Sequence, residues 1–284
     1  MQDLIITSRQ NGRIVELCKL ADKKYREELR MFRFDGGKLL SEALDKGVRI
    51  IRVFACRNRE TEEKYGKILS RVREGTGAEI LWVAPELFER ISEEKAPDGL
   101  MTVAEYLDNF FSSAIIKEDG NLQKLLEKCP EDAPVLLLED IQDPQNFGAL
   151  LRSACAFGTG AVICTEKSAD IHHPKTLRAS MGAAFRVPVY AAEDLAPVVS
   201  SLRSAGRRVF AAALGERAYT LGELEIRPGD CLVIGNEGHG LSRAVMDAST
   251  GCIRIPMQPG TESLNAAVAG GILLWSFRRT GPEQ

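Results

Sequence analysis

Three short polar loops are the part of this sequence whose residue types and spacing suit chemistry. Each follows an apolar run, and together they offer amide, carboxylate, hydroxyl and guanidinium groups. Amides and hydroxyls can orient a polar molecule, and an arginine fork suits a phosphate or carboxylate group. Ligands of parallel α/β sheets bind beyond the carboxyl ends of the strands, so we expect the three loops to converge on one pocket. The candidate residues are Asn146 with Arg152, Asn236 with Glu237, and Ser263 with Asn265.

The first loop belongs to a predicted strand–turn–helix unit. The apolar run Val135–Leu138 predicts a buried strand. Asp143-Pro144 ends this strand, because proline fixes its own φ and restricts the residue before it. Asn146 is expected to cap the following helix, on which Arg152 lies. For an isolated segment of this kind, a solvated arginine on an ordinary helix is the alternative.

The second and third loops each open a helix. Gly235–Gly240 is rich in glycine, but its G-x-x-G-x-G spacing differs from the dinucleotide fingerprint G-x-G-x-x-G. Ser263 is the expected N-cap of the last helix, which is apolar on most sides and contains Gly270-Gly271. Two interior glycines cost roughly 1 kcal/mol each relative to alanine. We therefore expect another helix or a partner chain to pack against them.

Strands and helices alternate from Val135 to the end of the chain. This order predicts an α/β domain with a parallel sheet that is covered on both faces. After the first strand, the predicted strands are 161–164, 186–191, 207–214, 231–234 and 252–255, with helices around 175–181 and 194–205.

Residues 1–117 are predicted to form a small α/β domain with a basic surface. Residues 1–60 hold 14 Lys and Arg against 9 Asp and Glu, a balance of +5, so the other residues carry −8. Such asymmetry suits a nucleic-acid-binding module joined to a catalytic one, although solvated helix faces give similar imbalances. We place a linker at 118–133 and the catalytic domain at 134–284. The predicted N-terminal elements are strands 31–34, 49–55 and 79–84 and helices from 14, 38–46 and 61–73.

The composition excludes several classes of protein. With 44% hydrophobic residues in a chain of 284, one large or two ordinary cores can form. No apolar run approaches the roughly 18 residues of a membrane helix, and the first residues are polar rather than signal-like. Seven cysteines without a CxxC pair are typical of a reducing compartment. We expect a cytoplasmic protein without disulfides and without a metal site.

Three segments resemble the signature motifs of a known family. DIQDPQNFGALLRSA (140–154), LVIGNEGHGLS (232–242) and IRIPMQPGTESLNAAVA (253–269) are similar to the three motifs of the SpoU RNA ribose 2′-O-methyltransferases of the SPOUT superfamily. RASMGAAFRVPV (178–189) resembles a segment between the first two motifs. ITSRQNGRIVELCKLADKKYRE (6–27), with the FRFDGGKLLSEAL that follows it, resembles the small substrate-binding domain that often precedes them.

The resemblance implies a fold and a cofactor that the hydrophobic pattern alone does not indicate. The C-terminal α/β domain would contain a deep trefoil knot, and two copies would form a homodimer with the active site near their interface. S-adenosylmethionine would lie among the knot loops and be held largely by backbone groups. The resemblance assigns Leu214, Gly215, Gly235, Ile255, Met257 and Leu264 to that pocket.

The reaction implied is attack of a ribose 2′-OH on the methyl group of S-adenosylmethionine, with ribosomal RNA favoured over transfer RNA as the substrate. Arg152 would be the central catalytic residue, positioned by Asn146. A guanidinium is a poor base at neutral pH, so holding a phosphate is a more favourable role for Arg152 than taking a proton. Both roles, base and phosphate clamp, stay open. Glu237, Ser263 and Asn265 would position the ribose. The basic residues expected to contact RNA are Arg9, Arg13, Lys23, Lys24, Arg26 and Lys38.

The third motif departs from the family pattern, because Ala266-Ala267 stands where a valine and a serine usually follow SLN. The departure removes a hydroxyl and affects fine positioning rather than the class of reaction.

Two readings from other classes stay open. The first is a non-catalytic RNA-binding protein that keeps the fold, and calorimetry with S-adenosylmethionine would distinguish it from an enzyme. The second is a Rossmann-type metabolic enzyme, which a co-purifying nicotinamide cofactor would favour.

Overall fold

The computed structural model describes residues 4–94, 96–107, 125–215, 218–260 and 263–278. Within these ranges two β-sheets organise the chain, one of five strands and one of seven. Contacts between residues divide the chain into two units. Residues 1–107 and 170–185 make up the first unit, and residues 108–169 and 186–284 make up the second.

The first unit is built on a mixed sheet. Its elements up to residue 107 are β1 Ile5–Ile6, α1 Gly12–Lys19, α2 Lys23–Leu29, β2 Met31–Asp35, α3 Gly37–Asp45, β3 Ile50–Cys56, α4 Arg59–Gly75, β4 Glu79–Val83, α5 Pro85–Ile91 and β5 Leu100–Glu105. The strand order is β1-β4-β3-β5-β2, in which β5 runs antiparallel to both of its neighbours. The predicted small α/β fold is confirmed, with β1, α5 and β5 added to the predicted elements and the first predicted helix divided into α1 and α2.

The strand β5 has no sequence signal because it is covered on both faces. Its first five residues are all buried, so apolar and polar positions do not alternate along it. It also begins directly after Asp98-Gly99, which reads as a turn. The helix α5 is only seven residues long and has no side-chain cap, since it begins with Pro85 after Ala84.

The second half of the chain builds an entirely parallel sheet. Its elements are β6 Val135–Leu138, α6 Pro144–Ala156, β7 Ala161–Thr165, α7 Pro174–Ser180, β8 Val189–Ala192, α8 Leu195–Ser204, β9 Val209–Ala212, β10 Tyr219–Thr220, β11 Cys231–Ile234, α9 Arg243–Ala248, β12 Gly251–Arg254 and α10 Ala266–Phe277. The strand order is β10-β12-β9-β11-β6-β7-β8, and every neighbouring pair is parallel. The predicted parallel α/β fold is confirmed. Strand order does not trace the path of the C-terminal segment, so the trefoil knot stays a prediction.

Residues 170–185 belong to the first unit although they follow β7 in the chain. The helix α7 packs beside β2. The ring of Phe185 lies 6.4 Å from that of Phe32 and 5.6 Å from that of Phe34, measured between centroids. All three side chains are buried, so this segment completes the aromatic core of the first unit.

A buried ion pair fixes the start of the same segment. Arg26 is 1% exposed and donates through Nε and Nη2 to Asp170 Oδ2, at 3.0 and 2.7 Å. Its Nη1 donates to the carbonyl oxygens of Leu20 and Ala21. Burial alone would raise the pKa of Asp170, but the hydrogen bond and charge of His172 and the charge of Arg26 hold that pKa below its usual range.

The two units differ from the predicted division of the chain, because the first unit ends at 107 rather than at 117 and includes a later segment. The sequence places a linker at 118–133 and gives all of 134–284 to one domain, whereas 170–185 groups with the N-terminal residues. Residues 118–124 of that linker lie outside the described residues, so its limits stay a prediction.

Asp35, at the end of β2, is a buried carboxylate of the first unit. Its side chain is 7% exposed, and within the described residues neither of its oxygens has a hydrogen-bond partner, although Arg178 Nη2 lies 3.9 Å from Asp35 Oδ2. Burial raises the pKa of Asp35 to about 6, although the charge of Arg33 opposes the shift. The native state therefore binds this proton more tightly than the unfolded chain does. Stability that is present below pH 4 is lost as the pH rises through 6.

We expect Asp35→Asn to raise the free energy of unfolding at pH 7.5 by about 2 kcal/mol, because a neutral amide avoids burying a charge that no hydrogen bond stabilises. The gain should shrink as the pH falls through 6 and should disappear below the ordinary pKa of 3.8, where Asp35 is protonated in both states. Urea unfolding followed by circular dichroism across this pH range measures the effect.

Asp98→Asn is the matched control in the same unit. Asp98 accepts hydrogen bonds from Lys64 Nζ at 2.5 Å and from the Gly37 N–H at 3.3 Å. Burial raises its pKa, but these bonds outweigh burial and lower it below the ordinary value. Asp98→Asn should therefore destabilise the protein at neutral pH. Equal effects of the two substitutions would contradict the cost assigned to Asp35.

Candidate active site

Three loops of the second unit meet through one chain of side-chain hydrogen bonds. Asn265 Nδ2 donates to Asn146 Oδ1 at 2.9 Å, and Asn146 Nδ2 donates to Glu237 Oε1 at 2.8 Å. Glu237 and Asn265 follow β11 and β12, and Asn146 lies in the helix that follows β6. The expected convergence of the three loops is thus present for Asn146, Glu237 and Asn265.

Asn146 can make both contacts because another residue caps its helix. Asp143 is the N-cap of α6, and its carboxylate accepts from the backbone N–H groups of Gln145 and Asn146 at 2.6 and 3.2 Å. Pro144 occupies the first helical position, where a missing N–H is not needed. The prediction that Asn146 caps this helix is therefore wrong. Asn146 lies in the first turn, and its amide is directed to the other loops.

Asn265 is the N-cap of α10, the role that the sequence assigns to Ser263. Its Oδ1 accepts from the N–H groups of Ala267 and Val268 at 3.0 and 3.2 Å. Its Nδ2 is then the donor to Asn146, so one amide both begins a helix and joins two loops. The prediction that Ser263 is the cap is wrong, and Ser263 is an exposed residue before the cap.

The donors in this chain all point toward Glu237. The N-terminus of α10 carries partial positive charge, which polarises the amide of Asn265 and, through it, the amide of Asn146. Each hydrogen bond in such a series strengthens the next. Asn146 holds one oxygen of Glu237. Because Glu237 lies on an exposed turn, its carboxylate is also open to a ligand.

The turn that carries Glu237 is held by its own backbone. Asn236 and Gly240 exchange two backbone hydrogen bonds. Asn236 Oδ1 also accepts from the N–H of Gly238 at 2.7 Å. A Cβ atom on Gly235 would lie 2.5 Å from the backbone of Gly240, so only glycine fits at that position. The glycines of this loop therefore serve close backbone packing.

A cleft of about 420 Å³ lies among these loops. This volume falls within the range of small-molecule sites. Its polar lining residues are Asn236, Glu237, Arg254 and Ser263. The residues predicted to bind the cofactor that line it are Leu214, Gly235, Ile255, Met257 and Leu264.

Gly215 is not among the described residues that line the cleft. A Cβ atom at Gly215 would lie 3.4 Å from Cys252 Sγ, an ordinary contact. The structure thus brings five of the six predicted cofactor residues to one cleft. Their contacts with a cofactor stay predictions.

Sequence reasoning missed two further walls of the cleft. One consists of Ala212 and Ala213 at the end of β9, and the other of Ala266, Ala269 and Leu273 on α10. Small residues at the start of the last helix are visible in the sequence. Nothing in the hydrophobic pattern distinguishes a helix face that borders a cavity from one that borders a core.

Arg152 lies apart from this arrangement within a single chain. It is exposed on α6 and is not among the described residues that line the cleft. Within the described ranges its guanidinium has no hydrogen-bond or ion-pair partner. Arg152 follows Asn146 by six residues, which turns a helix by about 240°, so the two side chains leave different faces.

The basic residues predicted to contact RNA lie in the first unit, and all but one of them are exposed. Arg26 is the exception, and the prediction that it contacts RNA is wrong. Its guanidinium is buried, and all three of its nitrogens already donate to protein oxygens. The exposed residues are Arg9, Arg13, Lys23, Lys24 and Lys38.

Three further features of the chain bear on its class. Among the residues that the structure describes, no group of three or more His, Cys, Asp or Glu side chains is placed to hold a metal ion. In the same ranges no helix is long and apolar enough to span a bilayer. All seven cysteines are free.

Comparison with known proteins shows that the protein with this parallel sheet and loop-lined cleft is an S-adenosylmethionine-dependent RNA 2′-O-methyltransferase of the SPOUT class. The SpoU rRNA Methylase family profile matches residues 133–275, just over half of the chain. The chain belongs to the SpoU rRNA methylase family. The profile of the MRM3-like substrate binding domain matches residues 11–102.

The relatives span most of the chain. The 23S rRNA (guanosine(2553)-2′-O)-methyltransferase RlmP of Bacillus subtilis is 29% identical over 96% of this chain and 98% of its own length. The 23S rRNA (guanosine-2′-O-)-methyltransferase RlmB of Xanthomonas campestris is 38% identical over 60% of this chain and 68% of its own. The crystal structure of an AdoMet-bound rRNA methyltransferase from Sinorhizobium meliloti has a TM-score of 0.81, 26% identity and 98% coverage of both chains.

We expect Asn146→Asp to reduce methyl transfer at pH 8 by at least about a hundredfold, because it removes the donor to Glu237 and sets two carboxylates side by side. Activity relative to wild type should recover as the pH is lowered toward 5, since the introduced carboxyl group can donate again once it is protonated. Single-turnover rates across this range measure both effects.

Gln145→Glu is the control for added negative charge. Gln145 is the exposed neighbour of Asn146, and among the described residues the hydrogen bond to Glu237 comes from Asn146 and not from Gln145. Its substitution should leave the rate within about twofold of wild type, as for most exposed sites. A pH-independent loss in Asn146→Asp would argue against the donor role of the Asn146 amide.

Proposed function

We propose that this protein transfers the methyl group of S-adenosylmethionine to a ribose 2′-OH of 23S ribosomal RNA. The observation that carries the proposal is the hydrogen-bonded chain from Asn265 through Asn146 to Glu237 at the cleft. RlmP and RlmB support the choice of RNA, since both are named as 23S rRNA guanosine 2′-O-methyltransferases. Transfer RNA is the alternative substrate.

The cleft fits S-adenosylmethionine in size and in the chemistry of its walls. Leu214, Ile255, Met257 and Leu264 would enclose the adenine, with backbone groups near Gly235 as donors and acceptors. Bound there, the cofactor supplies an electrophilic methyl group on a positively charged sulfonium. The carboxylate of Glu237 favours a positive group on its side of the cleft.

Glu237 is proposed to accept the hydrogen bond of the attacking ribose hydroxyl. Asn146 holds one carboxylate oxygen at 2.8 Å, which leaves the other to meet the substrate. Asn265 orients Asn146, and the exposed hydroxyl of Ser263 borders the same cleft. These side chains would place the hydroxyl in line with the methyl group, and such positioning supplies a large part of a transfer reaction's acceleration.

Arg152 is proposed to grip the phosphate beside the target ribose. A guanidinium stays protonated at neutral pH, so its fork can hold two phosphate oxygens but does not readily take a proton. Within the described residues of one chain Arg152 has no partner and does not line the cleft. We propose that it acts at the cleft of a second copy.

A homodimer would supply that second copy. Val268, Ile272 and Trp275 are 51%, 38% and 55% exposed, and their spacing places them along one stripe of α10. Gly270 does not need a partner chain to explain it, because a Cβ atom there would clash with Leu150 of α6 in the same chain. The stripe, rather than the glycines, is the proposed interface.

The first unit is proposed to hold the RNA through its exposed cations. Phosphate contacts of this kind release counterions and weaken as salt rises. The RNA substrate and the seven free cysteines support a cytoplasmic protein. The cations are Arg9, Arg13, Lys23, Lys24 and Lys38.

Mapping of ribose methylation tests the substrate directly. RNA from cells with and without this protein is compared for 2′-O-methyl groups at every nucleotide of 23S, 16S and transfer RNA. One 23S position should lose its methyl group in the absence of the protein and regain it with the purified enzyme. A change confined to transfer RNA would establish the alternative substrate.

We expect Arg152→Ala to reduce turnover by roughly a hundred to ten thousand fold with little change in S-adenosylmethionine affinity. Arg152→Lys should recover only part of the activity, because it keeps the charge but loses the fork. Mixed dimers of Arg152→Ala and Glu237→Ala chains should regain activity, since one cleft then has an intact Glu237 and receives an intact Arg152 from its partner.

Inactive mixed dimers would place Arg152 at the cleft of its own chain. Ile272→Glu tests whether activity requires the dimer. A charge on the exposed stripe of α10 should separate the two copies, and turnover should be lost with the dimer. Sedimentation equilibrium measures the separation. A monomeric wild-type protein at micromolar concentration would remove the homodimer and the shared site at once.

A further inference from the structure

Thr165 is a buried residue at the end of β7 that the mechanism above does not use. It is 5% exposed, and its hydroxyl makes three hydrogen bonds, the full capacity of that group. It donates to Asp140 Oδ1 at 2.7 Å and accepts from the Asp140 N–H at 2.8 Å. Since its one hydrogen is committed, it accepts from Ser168 Oγ at 3.1 Å.

The backbone that Thr165 holds has an unusual conformation. Asp140 has a φ of 54°, in the left-handed region that residues with a side chain rarely adopt. In this conformation the Asp140 carbonyl oxygen accepts from Asn236 Nδ2 at 2.8 Å. The other end of that amide, Asn236 Oδ1, accepts from the N–H groups of Gly238 and His239. Asn236 therefore ties the turn that carries the site carboxylate to Asp140.

We propose that Thr165 is a positioning residue for methyl transfer, acting through Asp140 and Asn236 to orient Glu237. This inference rests on the proposed role of Glu237. The hydrogen bond from Asn146 reaches only the tip of the Glu237 side chain, on an exposed turn. The contact between Asp140 and Asn236 fixes the backbone of that turn, and Thr165 fixes Asp140.

Thr165→Val tests the proposal, because valine has nearly the same shape and lacks the hydroxyl. Turnover on ribosomal RNA from cells that lack the protein should fall about 10- to 100-fold, as expected for a small displacement of a positioned group. The Kd for S-adenosylhomocysteine should change less than about threefold, since the residues proposed to hold the cofactor do not include Thr165, Asp140 or Asn236. Thr165→Ser, which keeps the hydroxyl, should recover most of the turnover.

Thr159→Val is the matched control. Thr159 is a buried threonine of the same unit, 8% exposed, whose hydroxyl has no hydrogen-bond partner in the described part of the chain. Its substitution removes the same atom without breaking a hydrogen bond, so turnover should stay at the wild-type level.

Asp140→Gly tests whether the Asp140 backbone links Thr165 to Asn236, because glycine accepts a φ of 54° and keeps the carbonyl that Asn236 contacts. It should lose less turnover than Thr165→Val.

Wild-type turnover in Thr165→Val would overturn the inference, as would a Thr165→Ser variant as slow as the valine one. A parallel loss of turnover and S-adenosylhomocysteine affinity would also overturn it, because the residue would then support the fold as a whole. An inactive wild-type protein on the same RNA would instead contradict the proposed function, so the two failures are distinct.

Discussion

The amide of Asn146 has to accept a hydrogen bond from one loop and donate a hydrogen bond to another, and the geometry of the cleft edge depends on this requirement. An amide can do so in only one orientation, because its oxygen cannot donate and its nitrogen cannot accept. Asp143, rather than Asn146, caps α6. Asn265 caps α10 with its side-chain oxygen, and its side-chain nitrogen is therefore directed toward Asn146. Two helix caps thus set the direction of the hydrogen bond that ends on Glu237.

The sequence predicts the parallel sheet well, because buried central strands such as β6 and β11 are short, wholly apolar runs. It predicts the first two loops for the same reason, since each follows such a run, whereas the third follows β12, which contains Arg254 and is only partly buried. It fails where two neighbouring residues suit one role, as Asp143 and Asn146 both suit the cap of α6, and local spacing does not choose between them. It also fails for Arg26, which has the amphipathic position of a surface residue but pairs with Asp170, far along the chain.

The polar groups of the site face solvent in a single chain, and this limits what they can do alone. Hydrogen bonds among exposed side chains contribute little, because water competes for each donor and acceptor. Their effect on a reacting group increases when water is excluded and the local dielectric falls. An RNA substrate over Glu237 would exclude water. The chemistry of this fold is therefore tied to what covers the cleft as much as to the residues that line it.

The placement of residues 170–185 in the first unit affects the order in which the chain can fold during synthesis. A polypeptide leaves the ribosome from its N-terminus, and domains generally fold as they emerge. A nascent chain that ends at residue 107 contains Arg26 without the carboxylate that neutralises it and lacks the aromatic ring that covers Phe32 and Phe34. Both arrive only after β6, α6 and β7 have been made. The N-terminal unit therefore reaches its native packing late, when a large part of the second unit has already been translated.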